Sequence, residues 1–167
     1  MTDQPIALGS EHGQTADVAQ QFLTFTVAQE EYGVDIMTVR EIKGWTETTR
    51  LPNTSEFMRG VMNLRGLIIP IFDLRARFQR GMTEATPKHV VIILAVAERN
   101  IGILVDTVSD ILDARADQIK PAPTTDTQLD ASYISGLISL ENRMVVLLNI
   151  EHLFDMHAIN QLEQQAG

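Results

Sequence analysis

The sequence contains no cysteine among its 167 residues. Disulfides, a thiolate nucleophile and cysteine-ligated metal sites are therefore excluded, and the composition is compatible with a reducing compartment. Basic residues are also scarce, because 13 Lys and Arg stand against 22 Asp and Glu and give a net charge of −9. This charge repels nucleic-acid phosphates and anionic membrane surfaces, so neither is an expected partner.

Long apolar runs are missing as well. The longest, from Val90 to Ala97, is far shorter than the roughly 20 residues that a membrane-spanning helix needs. Residues 1–20 are polar and acidic, without the basic start and apolar segment of a signal peptide. The sequence therefore predicts a soluble cytoplasmic protein, with a disordered N-terminal arm over residues 1–20 and no insertion into a membrane.

The motifs of common catalytic sites are absent. Neither a glycine-rich phosphate loop nor a GxSxG nucleophile elbow occurs. No histidine stands at metal-ligand spacing from another, and the adjacent acids Glu30 and Glu31 fit a solvated turn. The sequence thus predicts no enzymatic activity, no cofactor and no metal.

The rest of the chain is organised around residues 60–78, GVMNLRGLIIPIFDLRARF. The apolar run Leu67–Phe72 behind the NLRG turn predicts a buried strand. Because Pro70 cannot donate a ladder hydrogen bond, we expect this strand to lie at a sheet edge or to be interrupted by a bulge. Asp73 is a candidate cap for a short helix that ends near Phe78.

This stretch has a counterpart at residues 136–154, GLISLENRMVVLLNIEHLF, which aligns with it without gaps. Upstream, a second constant offset relates Gly33 to Gly102, Val39 to Val108, Glu41 to Asp110 and Ile42 to Ile111. The chain is therefore interpreted as a tandem duplication of a β module with about five short strands per copy. Module one spans about 21–78, a linker 79–88 and module two about 89–155.

Alternation of apolar and polar residues predicts strands over 21–28 and 32–42. Within the second strand, Val34 and Ile36 would share one face, and Val39 and Glu41 the other. At the end of the chain, Asn149 could cap a helix running from Ile150 toward Gln165, so that residues 156–167 form a C-terminal helix and tail.

The two copies differ in charge at one turn, where Arg65-Gly66 corresponds to Glu141-Asn142. Two explanations remain open: a distinct partner surface on the first module, or neutral drift of an exposed turn. Three methionines near this turn in the sequence suit either an adaptable contact surface or core filling: Met37, Met58 and Met62. A groove between the modules, lined by Val39 and Glu41 with their counterparts, could hold an amphipathic helix or helical hairpin.

Five segments carry a resemblance to a known family: EEYGVDI (30–36), VREIKGW (39–45), NLRGLIIPIFDLR (63–75), VDTVSDIL (105–112) and IKPAP (119–123). Together they closely resemble the CheW-like domain family of chemotaxis coupling proteins, over roughly residues 21–155. The resemblance implies an all-β fold of two SH3-like five-stranded barrels around a shared core, followed by a C-terminal helix. It also implies an adaptor, monomeric alone, that binds the cytoplasmic tip of methyl-accepting chemoreceptors and the regulatory domain of the histidine kinase CheA.

Carried over by position, the receptor-facing residues implied by the resemblance are Val39, Glu41, Ile42, Gly60, Arg65, Val108 and Ile111. Glu41 and Arg65 could pair with each other or with a partner. Two related readings are a scaffold of another chemosensory-type pathway and a regulatory domain of the CheA type. The starting Met and the polar tails at both ends speak against a piece of a larger protein.

Overall fold

The computed structural model describes residues 19–122 and 133–154. The described strands are β1 (Gln20–Val27), β2 (Glu30–Asp35), β3 (Val39–Gly44), β4 (Met58–Leu64), β5 (Leu67–Asp73), β6 (Val90–Val96), β7 (Arg99–Val105), β8 (Thr107–Ala114), β9 (Ile119–Lys120), β10 (Ile134–Leu140) and β11 (Arg143–Leu148). Two short helices, α1 (Leu74–Arg77) and α2 (Ile150–Leu153), and two single turns of 3-10 helix, Ile36–Thr38 and Ala116–Gln118, complete the described elements.

The strands form two sheets, one in the order β8-β1-β2-β11-β10-β9 and the other in the order β3-β6-β7-β5-β4. In each sheet, the segment that follows one edge strand, β3 or β8, crosses over and pairs with a strand on the opposite side of the same sheet. After β3, Thr49 bridges to Val61 in β4, and after β8, β9 pairs with β10. Each sheet is thereby closed into a small barrel, which confirms the predicted all-β fold with two barrels.

The internal duplication is visible in the strand register. Where β5 pairs with β7, Ile71 lies opposite Gly102, and where β11 pairs with β2, Leu147 lies opposite the matching Gly33. The bulge near Gly60 in β4 likewise recurs near Gly136 in β10. The two barrels are therefore copies of one pairing scheme.

The sheets do not coincide with the sequence repeats. One sheet combines β1 and β2 of the first repeat with strands of the second, and the other combines β3, β4 and β5 with β6 and β7. The repeats thus exchange their first two strands, so neither barrel can form from one repeat alone.

Within the described residues, three apolar clusters fill this architecture. The largest lies between the barrels and draws on both repeats, with Phe25, Leu94 and Ile103 fully buried. Each barrel also has a small cluster of its own, around Ile71 in one and around Leu147 in the other. This arrangement confirms the predicted shared core, because the largest group of buried apolar residues combines strands of both barrels.

The predicted strand over 32–42 is wrong in one respect, because the chain turns in its middle. β2 ends at Asp35, whose carboxylate accepts a hydrogen bond from the backbone N–H of Met37 at 2.9 Å. This cap starts the 3-10 turn Ile36–Thr38, after which β3 enters the other sheet. The alternation of side chains therefore breaks at the turn that leads from one barrel to the other.

Pro70 lies in an interior strand, contrary to the expected edge, because β5 is placed between β7 and β4. Its missing N–H is tolerated since the ladder to β7 begins only at Ile71. The alternative expectation, a bulge within β5, is also wrong, because the bulge lies in the partner strand β4 between Met58 and Gly60. Pro70 is therefore tolerated in an interior strand because the hydrogen-bond ladder between β5 and β7 does not include it.

The two predicted helix caps have different outcomes. The Asp73 carboxylate caps α1 by accepting a hydrogen bond from Ala76 N at 3.2 Å, as predicted. Asn149 occupies the N-cap position of α2, but its side chain makes no cap hydrogen bond. The predicted continuation of this helix toward Gln165 and most of the predicted N-terminal arm, residues 1–18, lie outside the described residues.

The segment 79–88, predicted as a linker, is fastened to the first repeat. Thr83 is buried, and Asp73 accepts hydrogen bonds from both its backbone N–H and its hydroxyl at 2.8 Å. Arg59 joins them, with one guanidinium nitrogen 3.1 Å from Asp73 Oδ2 and 2.7 Å from the Thr83 carbonyl oxygen. A fully buried carboxylate thus holds the connection between the repeats in place.

Candidate partner-binding site

The predicted charged pair meets at the end of the β3-containing barrel. Arg65 lies at the tip of the β4–β5 hairpin, and its guanidinium is 2.5 Å from a carboxylate oxygen of Glu41 in β3. Arg65 and Gly66 both have positive φ, 52° and 89°, as a tight two-residue hairpin turn requires. The turn therefore places the arginine at the barrel rim, where 73% of its side chain is exposed.

The ion pair shifts both groups toward their charged forms. The hydrogen bond from Arg65 holds the pKa of Glu41 below its usual range, and the pKa of Arg65 is raised by the same bond. Glu41 is therefore ionised at neutral pH and loses its bond to Arg65 only as the pH falls through that lowered pKa. Lys43, with its amine 4.0 Å from the other carboxylate oxygen, adds a second cation to the rim.

Val39 and Glu41 lie on opposite faces of β3, contrary to the prediction that they share one. Val39 pairs with Leu94 and Glu41 with Ile93, so Arg40 is inserted as a bulge between them. Because successive residues of β6 point to opposite faces, the bulge turns Glu41 toward the barrel interior and its rim. Val39 instead packs, half-buried, against the shared core.

The predicted residues of the second repeat occupy the equivalent places in the other sheet. Val108 pairs with Phe25 and packs against the shared core, as Val39 does. Ile111 matches Ile42, and these two side chains are 53% and 46% exposed. The structure thus brings Glu41 and Arg65 into contact, while Ile42 and Ile111 lie on edge strands of different barrels.

Gly60 has a structural role in this region. It is buried with φ of 140°, and a Cβ at this position would overlap the carbonyl of Thr49. Thr49 exchanges backbone hydrogen bonds of 2.8 and 2.9 Å with Val61, and this bridge closes the barrel below the Arg65 hairpin. Gly60 therefore shapes the rim without presenting a side chain to a partner.

We expect Gly60→Ala to lower the free energy of unfolding by about 1–3 kcal/mol, because it combines a strained φ with an overlap on backbone atoms. Urea denaturation measures the loss. Gly81→Ala is the matched control, since Gly81 has φ of 86° and open space around it. Equal losses in the two variants would mean that the contact with Thr49 adds nothing to the strain.

The rim of the other barrel carries an ion-pair network that the sequence did not predict. Asp110, the counterpart of Glu41, accepts a 2.5 Å hydrogen bond from the Thr24 hydroxyl and lies 3.2 Å from a guanidinium nitrogen of Arg143. Arg143 also makes a bidentate contact with Glu31. The hydrogen bonds from Thr24 and Arg143 lower the pKa of Asp110.

This network compensates for the charge reversal between the two hairpin tips. Although Glu141 stands where the first repeat has Arg65, an arginine two positions later supplies the positive charge to the equivalent carboxylate. A gap-free alignment compares Arg143 with Leu67 and so conceals the substitution. The two rims keep a carboxylate–arginine pair but expose different groups at the tip.

The three methionines separate into two classes. Met58 and Met62 are buried and fill the core, whereas Met37 is 76% exposed in the 3-10 turn that precedes β3.

The described residues were also searched for a membrane span and a metal site. In residues 19–122 and 133–154 no helix is long and apolar enough to cross a membrane. Over the same residues no group of three or more His, Cys, Asp or Glu side chains is placed to hold a metal ion.

Comparison with known proteins gives consistent matches. A family model described as the CheW-like domain matches residues 21–158. Chemotaxis protein CheW of Klebsiella aerogenes is 47% identical over 136 residues, which cover 81% of this chain and 82% of that protein. Chemotaxis protein CheW of Bacillus subtilis is 29% identical, covering 84% and 92%.

A solved structure agrees with the fold. The scaffolding protein TtCheW from Thermoanaerobacter tengcongensis superposes with a TM-score of 0.76 at 30% identity, covering 83% of this chain and 94% of that one. Protein FrzA of Myxococcus xanthus is 28% identical over 136 residues, covering 80% of this chain and 84% of that protein.

Proposed function

The chain belongs to the CheW-like domain family, and we propose that it couples methyl-accepting chemoreceptors to the histidine kinase CheA. It would bind the cytoplasmic tip of the receptor and the regulatory domain of the kinase at the same time, in the cytoplasm and without catalysing a reaction. Each contact can be modest, because assembly of several partners adds avidity and lets one binding event change another.

The observation that carries this proposal is the rim formed by β3 and the β4–β5 hairpin. It presents an exposed arginine at the tip of a well-defined turn, next to the exposed apolar side chains of Leu67 and Ile68. Exposed apolar side chains beside a charged group are typical of protein–protein interfaces.

Two calorimetric titrations test the proposal, one with a soluble chemoreceptor tip and one with a CheA regulatory domain. Binding to both, and formation of a ternary complex, is the expected result. A folded protein that binds neither partner would overturn the proposal.

A second candidate function is coupling in a different chemosensory-type pathway. The similarity to Protein FrzA favours it, because proteins with other names than CheW share this domain. Receptor tips and kinases from two separate systems of one organism, titrated in parallel, distinguish the two. Preference for the partners of the second system would favour this alternative.

Two aspartate substitutions on β3 distinguish a side chain that contacts the receptor from one that packs in the core. We expect Ile42→Asp to weaken receptor binding at nearly unchanged stability, since Ile42 is about half exposed. Val39→Asp should lower the free energy of unfolding by about 1–3 kcal/mol, because it places a charge against the shared core. Urea denaturation and receptor titration of both variants check this, and a fully stable Val39→Asp would contradict the core assignment.

A further inference from the structure

A cavity of about 310 Å³ opens where the β6–β7 turn of one barrel meets β1, β2 and α2 of the other. Five of its lining side chains are buried and apolar: Phe22, Val34, Val96, Leu148 and Ile150. Its polar lining includes Asp35, Asn149 and Glu151. The cavity is separate from the surface proposed for the receptor, since none of the residues predicted to face a receptor lines it.

The internal repeat gives the cavity an equivalent site at the other junction between the barrels. The two offsets that relate the repeats pair residues of the cavity with residues of that site: Gln20 with His89, Ala97 with Ala28, and Glu151 with Arg75. Met37, which lies between the lining residues Asp35 and Thr38 in the sequence, corresponds to Asp106. The alanine is kept, whereas the other three pairs differ in chemistry.

In the equivalent site, here called the closed site, side chains of the protein bond across the junction. The Asp106 carboxylate accepts hydrogen bonds from the Arg75 guanidinium and from the backbone N–H of Ala28, both at 2.9 Å. The imidazole of His89 lies 3.6 Å from the other carboxylate oxygen. A guanidinium and a carboxylate of the protein thus face each other at the closed site.

The lining of the cavity contains no such cation. Among the described residues that line it are two carboxylates, Asp35 and Glu151, and no Lys, Arg or His. Asp35 accepts hydrogen bonds from uncharged donors, the Met37 N–H at 2.9 Å and the Gln20 amide at 3.3 Å. Glu151 is exposed and stands where the closed site has Arg75. The cavity therefore combines buried apolar side chains with carboxylates that face no cation of the lining.

We propose that this cavity binds a small organic cation, a guanidinium or ammonium group on a short apolar chain. The charged group takes the place that the Arg75 guanidinium has in the closed site, and Glu151 and Asp35 bind it through charge-assisted hydrogen bonds. Asn149, whose side chain makes no cap hydrogen bond, offers an amide oxygen as a further acceptor. The apolar chain covers the buried side chains of the lining, and a cavity of this size at the junction of two barrels is typical of small-molecule sites.

Titration of the full chain with n-butylguanidinium, followed by amide NMR, tests the proposal. Saturable shifts of the resonances of Ala97, Ser135 and Glu151 are expected, with a Kd of about 10 mM, which is typical of a fragment of this size. n-Butylurea, which has the same shape without the charge, should bind at least about fivefold more weakly. Equal affinities for the two compounds, or shifts confined to residues away from the cavity, would overturn the proposal.

Substitutions of Glu151 test the same point from the side of the protein, and both should leave the fold intact because this side chain is exposed. Glu151→Gln should raise the Kd of n-butylguanidinium about fivefold, since an amide accepts a hydrogen bond without charge. Glu151→Arg should abolish binding, because it supplies the arginine of the closed site. Glu141→Gln is the matched control, since Glu141 is exposed at the β10–β11 turn and does not line the cavity. A Glu151→Gln variant that binds as tightly as Glu141→Gln would contradict the proposed site.

An arginine or lysine of a partner protein carries the same chemistry as a free compound. A soluble receptor tip and a CheA regulatory domain are therefore added in turn to protein saturated with n-butylguanidinium. Shifts retained with the partner bound support a site for a free compound. Release of n-butylguanidinium by a bound partner would assign the cavity to a side chain of that partner and overturn the proposal of a small-molecule ligand.

Discussion

Asp73→Ala should lower the free energy of unfolding by about 3–5 kcal/mol, the largest loss of stability that we expect from a single substitution here. The carboxylate is fully buried and accepts hydrogen bonds from Arg59, from both donors of Thr83 and from Ala76 N. Alanine would leave the Arg59 guanidinium without its counter-charge in a partly buried place and the Thr83 donors without an acceptor. Urea denaturation of the variant measures the loss.

Asp117→Ala serves as the control, because Asp117 forms an exposed ion pair with Arg115 at 3.2 Å. It should change stability by no more than about 0.5 kcal/mol. The single tryptophan, Trp45, gives a second readout, since the Arg59 guanidinium carbon lies 5.0 Å from its ring centre. Fluorescence unchanged in Asp73→Ala, with a loss of stability no larger than that of Asp117→Ala, would contradict the role of the buried carboxylate.

The sequence predicted the repeat and its internal equivalences because register leaves a trace in the chain. The gap-free match of residues 60–78 with 136–154 reappears as bulges at equivalent positions and as the same register of parallel pairing in the two barrels. No pattern in the sequence indicates that the two repeats exchange their first two strands. Apolar alternation reports which face of a strand is buried, but not which strand lies next to it.

Local backbone irregularities account for the other differences. The bulge at Arg40 contains neither glycine nor proline, so regular alternation placed Val39 and Glu41 on one face. The 3-10 turn before β3 depends on one side-chain cap, from Asp35, within an otherwise strand-like run. The contact between Glu41 and Arg65 joins residues 24 positions apart, and only the three-dimensional closure of the barrel brings them together.

The two rims also suggest how similar barrels could serve different partners. In the second repeat, Asp110 is bound by Thr24 and Arg143. Arg143 also contacts Glu31, so its guanidinium is fixed within the protein. In the first repeat the carboxylate is bound by an arginine at the hairpin tip with most of its side chain in solvent. A partner carboxylate could therefore bind Arg65 at a small cost in free energy, whereas Arg143 already contacts two carboxylates of the protein itself.

Arg65→Glu should weaken binding of the receptor tip by at least about tenfold while the fold is retained. The fold is retained because the Arg65 side chain is exposed, and Lys43 remains near Glu41 to offset part of the added negative charge. Calorimetry at two salt concentrations measures the effect, since the contribution of Arg65 to affinity should shrink as salt rises. Arg115→Glu, the same charge change at another exposed arginine, should leave receptor affinity unchanged.

The charge-swapped double variant Glu41→Arg/Arg65→Glu decides what the ion pair does. It restores an intramolecular pair at the rim but reverses the charge offered at the hairpin tip. If Arg65 contacts a carboxylate of the receptor, the double variant stays as weak a binder as Arg65→Glu. If the pair only supports the hairpin, the double variant regains the affinity of the unchanged protein, and Arg65 is then a positioning residue rather than a contact. Receptor affinity unaffected by Arg65→Glu at physiological salt would remove this rim from the binding site altogether.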